Sequence, residues 1–161
     1  MIKPFKAVAS GILIAAFVGV FGCGGGSSSS AVDQTQTLSN LKSASAALNK
    51  YARAHDEILP VAQNAAELKP LLLPYLTDPS VLEDPVTHIP FMWISAFSGK
   101  SLASLGDFTS VQYPGDIARV VPFYIANPAD VNSRPVGTIA GKAELVTDAE
   151  WKLIKIVSLI P

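Results

Sequence analysis

Few residues in this chain carry side chains suited to covalent or acid–base chemistry, and their positions limit what that chemistry is. Cys23 is the single cysteine in 161 residues. Its thiol can act as a nucleophile or take up a covalent group, but a lone cysteine excludes an intrachain disulfide framework and a multi-cysteine zinc site. The two histidines are His55 and His88. His55 precedes Asp56 and Glu57, which sets an imidazole beside two carboxylates. A hydrolase needs a nucleophile, a base and a group that orients the base. At the end of an expected helix the cluster reads first as a solvated terminus. His88 falls between Pro85 and Pro90, in a stretch that reads as surface turn. No Gly-x-Ser-x-Gly elbow is present. Asp116, Asn127, Asp130 and Asn132 offer oxygens for calcium, but without the twelve-residue loop and closing glutamate of a calcium hand. They are ordinary turn formers as well. No catalytic residue, metal or cofactor is expected.

Composition narrows the classes further. Hydrophobic residues make up 49% of the chain and charged residues 16%, which excludes a disordered polyelectrolyte. Lys+Arg is 12 against Asp+Glu 13, so no basic excess exists to grip nucleic acid. The amino terminus contributes much of the apolar share. Lys3 and Lys6 precede an uncharged, mostly apolar run of fifteen residues, Ala7 to Phe21. A charged start, a short apolar core and small residues before a cut form the pattern of an export signal. The run is shorter than the roughly 20 residues of a membrane-spanning helix. Residues 1–22 are therefore expected to be removed, taking both lysines with them and moving the net charge from −1 to −3.

Val20-Phe21-Gly22-Cys23 resembles the lipobox of bacterial lipoproteins, with Phe21 a departure where a small residue is common. The resemblance implies that the Cys23 thiol receives a diacylglyceryl group, that signal peptidase II cuts before Cys23, and that a further acyl chain such as palmitate follows on its amine. Two or three chains, at roughly 0.8 kcal/mol per buried methylene, hold firmly where one does not. Family members with an aspartate after the cysteine stay at the inner membrane. Gly24 stands here, which favours the outer membrane or cell surface. Gly24 to Ser30 reads GGGSSSS, so residues 23–36 are expected to be a lipid anchor and flexible tether.

Residues 37–161 then form one globular domain. Leu38, Leu41, Ser45, Leu48, Ala52 and His55 recur at helical spacing, so a long amphipathic helix is expected over 37–57, ended by Pro60. Asn64 with Glu67 marks the start of a second helix, kept short by Pro70 and Pro74. Residues 77–90 read as turns, 91–97 and 119–126 as strands, with Pro122 indicating an edge or bulge. Residues 136–139 and 142–146 flank Ala140-Gly141 as a hairpin. Thr147 and Glu150 form a capping box before a terminal helix over 151–157. Trp93, Trp151, Phe91, Tyr113, Phe123 and Tyr124 are expected in the core, with a binding patch or ligand groove as the alternative. Segregated helices and strands predict an α+β fold, a long helix packed on a small antiparallel sheet with a short C-terminal helix.

Three stretches resemble the pilin-like domains of type II secretion pseudopilins. Ser39-Asn40-Leu41-Lys42 through Tyr51-Ala52-Arg53-Ala54-His55-Asp56 to Leu59-Pro60 is similar to the segment in which their stalk helix leaves the filament. Leu73-Pro74-Tyr75-Leu76-Thr77-Asp78-Pro79-Ser80-Val81-Leu82 resembles a segment that in the family leads into Cys-Pro. Glu83-Asp84-Pro85 follows here instead. The hairpin is similar to their closing strand, with Ala140-Gly141-Lys142 in place of Asp-Gly-His. The resemblance implies a pilin-like domain. The lipobox and Gly/Ser break, however, replace the continuous apolar helix on which a filament is built. The expectation is a non-enzymatic, lipid-anchored envelope protein. It would contact the membrane through Cys23 and protein partners through its domain, with a possible link to secretion or pilus machinery. No nucleic acid and no small-molecule substrate are expected. The alternative is an envelope hydrolase or carbohydrate-binding module.

Overall fold

The computed structural model describes residues 28–109, 115–128 and 132–158. Cys23, Tyr113 and Asp130, and the segment 1–27 that carries the expected signal and cleavage site, lie outside the described residues.

The first helix, α1, runs from Ser28 to Ala54. It begins nine residues before the expected start, within the stretch that composition assigns to the tether. Once the amphipathic part is held by packing, each residue added at its end gains one hydrogen bond without a new nucleus. Ala31, Gln34 and Gln36 do not oppose this. The buried stripe is Thr37, Asn40, Leu41, Ala44, Ser45, Ala47, Leu48 and Ala52. Leu41, Ser45, Leu48 and Ala52 of the expected stripe are in it, while Leu38 at one end is only half-buried and His55 at the other is exposed.

The helix stops before Pro60 through its own backbone. The Glu57 N–H donates to the Ala52 carbonyl at 2.8 Å, the six-to-one bond of a Schellman cap. Asp56 (φ 53°) adopts the left-handed conformation this needs, and Glu57 (φ 60°) is left-handed as well. Helix α2, Ala65–Leu72, starts as expected: Asn64 Oδ1 accepts from the Glu67 N–H at 3.0 Å. The reciprocal bond goes from the Gln63 N–H to Glu67 Oε2 at 2.8 Å. Short 3₁₀ turns at Leu73–Tyr75 and Pro79–Leu82 occupy the proline-rich stretch that follows.

Four strands, β1 (Met92–Trp93), β2 (Phe123–Tyr124), β3 (Ser133–Gly137) and β4 (Ala143–Thr147), pair antiparallel in that order. The expected strands at 91–97 and 119–126 are each cut to two residues. Ser95–Phe97 and Ile117–Arg119 are 3₁₀ turns instead. Pro122 has no N–H to offer, and β2 begins directly after it. β2 is nonetheless an inner strand, not the expected edge. The hairpin forms as expected, closed by Thr138 N–H to the Lys142 carbonyl at 2.9 Å, with Gly141 at φ 75°. Thr147 ends β4 and caps the last helix, α3 (Asp148–Ser158). Its N–H donates to Glu150 Oε2 at 2.8 Å, and Thr147 Oγ1 accepts from the Glu150 N–H at 3.3 Å.

The protein is thus α+β, as its segregated elements imply. Alternation along the strands separates the two faces of the sheet. Trp93, Phe123 and Gly137 face α1 and α2. Leu41, Leu48, Leu68, Leu72 and Phe97 complete that core. The opposite face carries Tyr124 and Arg134, covered by Trp151 of α3. The Tyr124 and Trp151 rings are 4.9 Å apart and the Arg134 guanidinium lies 4.6 Å from the indole. Phe91, Trp93, Phe123 and Trp151 are buried and Tyr124 half-buried, which places these aromatics in packing roles. Among the described residues, no helix is long and apolar enough to cross a membrane.

Candidate functional site

The His55 region is a surface cluster at the end of α1. The Tyr51 and His55 rings stack with centroids 4.1 Å apart, as positions four residues apart on a helix allow. Tyr75, from the 3₁₀ turn after α2, meets Tyr51 edge-on at 5.7 Å. Its hydroxyl lies 3.3 Å from His55 Nε2. Asp56 and Glu57 follow in their left-handed turn, and Ile58 and Leu73 are exposed nearby in sequence. The structure therefore joins His55 to two tyrosines that the sequence reading did not connect with it. His55 is exposed, while Tyr51 and Tyr75 are half-buried, Tyr51 against the core. The part of this stacked group that reaches the surface suits contact with another surface, since such rings offer large area at small entropic cost.

The other candidates are dispersed. The His88 backbone N–H donates to the Asp84 carbonyl at 2.8 Å, with His88 itself at φ 56° and its side chain exposed. Asp116 caps the Ile117–Arg119 turn, accepting from the Ala118 N–H at 3.2 Å. The Asn132 carbonyl accepts from the Asp148 N–H at 3.2 Å. Asp116 and Asn132 thus contribute to turns. Among the described residues, no group of three or more metal-ligating side chains comes together.

Sequence reasoning missed a polar knot around Asp84. This carboxylate is 6% exposed. Its Oδ1 accepts from Thr37 Oγ1 of α1 at 2.8 Å, and its Oδ2 accepts from Thr87 Oγ1 at 2.7 Å and the Thr87 N–H at 3.1 Å. Asn40 Nδ2 donates to the Glu83 carbonyl at 3.1 Å and Gln36 Nε2 to Asn40 Oδ1 at 3.1 Å. Burial, the largest single influence, pushes the Asp84 pKa up. The hydrogen bonds from Thr87, Thr37 and the Val86 backbone outweigh it, so the carboxyl sits below the usual aspartate value. The knot fastens the 83–90 loop to the N-terminal half of α1.

Also unforeseen is a cavity of about 170 Å³ between α2, the Pro79–Leu82 turn and the sheet. Leu68, Leu82, Phe91 and Phe123 form apolar walls, and Lys69 and Glu83 stand at its edge. The only hint in the sequence is Ala65-Ala66 at the start of α2, two small residues in a segment otherwise rich in leucine.

With this architecture, the class is an α+β protein with a long helix laid across a small antiparallel sheet. Comparison with protein-family models, with characterised proteins and with solved structures gives no match for this chain.

Proposed function

We propose that this chain is a lipid-anchored protein of the bacterial cell envelope whose pilin-like domain docks other proteins and carries out no catalytic step. The observation that carries the reading is the position of Cys23, the sole cysteine, where the uncharged run ends and the Gly/Ser stretch begins. The long helix on an antiparallel sheet agrees with the pilin-like resemblance. Helix α1 has 27 residues, so it extends roughly 40 Å. The Tyr51–His55–Tyr75 cluster lies at its C-terminal end, opposite the end that begins at Ser28, where an envelope partner could reach it.

Metabolic labelling with a palmitate analogue in a bacterial host tests the anchor. The wild-type chain should carry the label and Cys23→Ser should not. Equal labelling of both proteins would overturn the reading. A link to secretion machinery predicts that a photo-crosslinker at Tyr75 traps a pseudopilin or its membrane platform.

A further inference from the structure

We propose that the cavity between α2 and the sheet is a binding site for a single-ring aromatic molecule bearing one polar substituent, of the phenol class. Three features of the cavity select this ligand. The first is size. Interiors are packed too closely to leave many voids larger than a water molecule, and an apolar cavity of about 150 Å³ is known to stay dry and admit benzene. This cavity, at about 170 Å³, has room for one substituted ring and little more.

The second feature is the chemistry of the walls. Leu68 and Leu82 supply aliphatic surface, and Phe91 and Phe123 supply aromatic rings against which a guest ring can pack edge-to-face or offset. Ala65 and Ala66 also line it, with side chains too small to fill it.

The third is the edge. Among its lining residues only Lys69 and Glu83 are charged, and they form one ion pair, Nζ to Oε1 at 2.9 Å. Their side chains are 44% and 29% exposed, so the pair stands where the cavity meets solvent. The Glu83 backbone is held to α1 by Asn40, which fixes its place. A phenolic hydroxyl can accept from the ammonium and donate to the carboxylate together, and an unsubstituted ring can do neither. A few placed polar groups on a mostly apolar wall are what orient a ligand in such sites. This binding needs no lipid anchor, so it stands apart from the role of Cys23.

The test is a titration of the full chain, with leucine methyls isotopically labelled, using p-cresol and toluene as probes. Both should give saturable shifts at Leu68 and Leu82, with p-cresol binding several-fold more tightly. The double variant Lys69→Met with Glu83→Leu should remove that advantage and leave toluene binding intact. Ala66→Leu should abolish both at an unchanged or raised thermal midpoint. Ala65→Val serves the same purpose should Ala66→Leu not fold. Absence of saturable shifts up to the solubility of the probes, or shifts that survive filling of the cavity, would overturn the site. Equal affinity for the two probes in the wild type would overturn the polar substituent.

Discussion

Thr37 Oγ1 donates to Asp84 Oδ1 at 2.8 Å across 47 residues of chain, joining the helix to the 83–90 loop beside the bond from Asn40 to the Glu83 carbonyl. The acceptor is a buried carboxylate, and hydrogen bonds to charged groups contribute about 1.5–3 kcal/mol each. Thr37→Val should therefore lower the unfolding free energy of the full chain by about 2 kcal/mol. Asp84→Ala should cost more, because it leaves the hydroxyls of both Thr37 and Thr87 without their acceptor. In a double-mutant cycle, denaturant midpoints should give a coupling of roughly 1–2 kcal/mol between the two positions. Strict additivity would mean that the bond contributes nothing.

The same carboxylate sets an acid sensitivity. Its folded-state pKa is depressed below the unfolded value, so its contribution to stability is fully present above the unfolded pKa, about 3.9. That contribution is lost as pH falls through the folded value. Asp78 is lowered by the backbone N–H of Ser80, and Glu150 by that of Thr147, so both act in the same direction. Those two titrate in any Asp84 variant as well. The stability gap between wild type and Asp84→Asn should then be constant from pH 7 to 5 and narrow below pH 4. A gap that persists unchanged to pH 2 would assign the effect to packing.

Helix termination supplies a stabilising substitution. The cap after α1 needs the left-handed region, and Glu57 holds φ 60° there without the short polar side chain that eases this for aspartate or asparagine. Glycine removes the steric cost of about 1–2 kcal/mol and adds back about 0.5–1 kcal/mol of chain entropy. Glu57→Gly should raise stability by about 0.5–1 kcal/mol, seen as a higher thermal midpoint. A lower midpoint would show that the Glu57 side chain contributes more than its strained backbone costs.

What the sequence revealed follows the range of each signal. The apolar stripe of α1, the Asn64 and Thr147 caps and the Gly141 hairpin are local patterns within a few residues, and the structure forms all of them. The helix start at Ser28 was hidden because Gly/Ser composition speaks for an isolated segment and not for one propagated from a packed helix. The strands around Phe91 and Phe123 are shorter than their residues suggest, since β-branched and aromatic residues also serve turns such as Ser95–Phe97. The Asp84 knot, the Tyr51–His55–Tyr75 cluster and the cavity beside Lys69 each join residues remote in sequence. Polar side chains such as Thr37 and Asn40 read singly as surface, and only the fold brings Asp84 and Glu83 to them.

Helix and sheet approach closely at Ser45 and Gly137, and this contact carries two linked predictions. A Cβ added at Gly137 would lie 2.3 Å from Ser45 Oγ and 3.3 Å from the Leu41 carbonyl oxygen. The glycine is thus required for spacing: α1 rests on the strand where a side chain would stand. Gly137→Ala should cost about 2 kcal/mol through overpacking. Ser45 Oγ is itself buried without a hydrogen-bond partner, and such a hydroxyl costs about 1–3 kcal/mol to bury. Ser45→Ala keeps the Cβ, removes the unpartnered oxygen and improves helix propensity, so it should stabilise the protein by about 1 kcal/mol. It also removes the atom nearest the new methyl, so the double variant should recover most of the loss caused by Gly137→Ala. Chemical denaturation of the four proteins decides the matter. If Ser45→Ala destabilises, the hydroxyl has a partner such as a buried water. If it stabilises but fails to rescue Gly137→Ala, the backbone at Leu41 sets the limit on how closely the helix approaches the sheet.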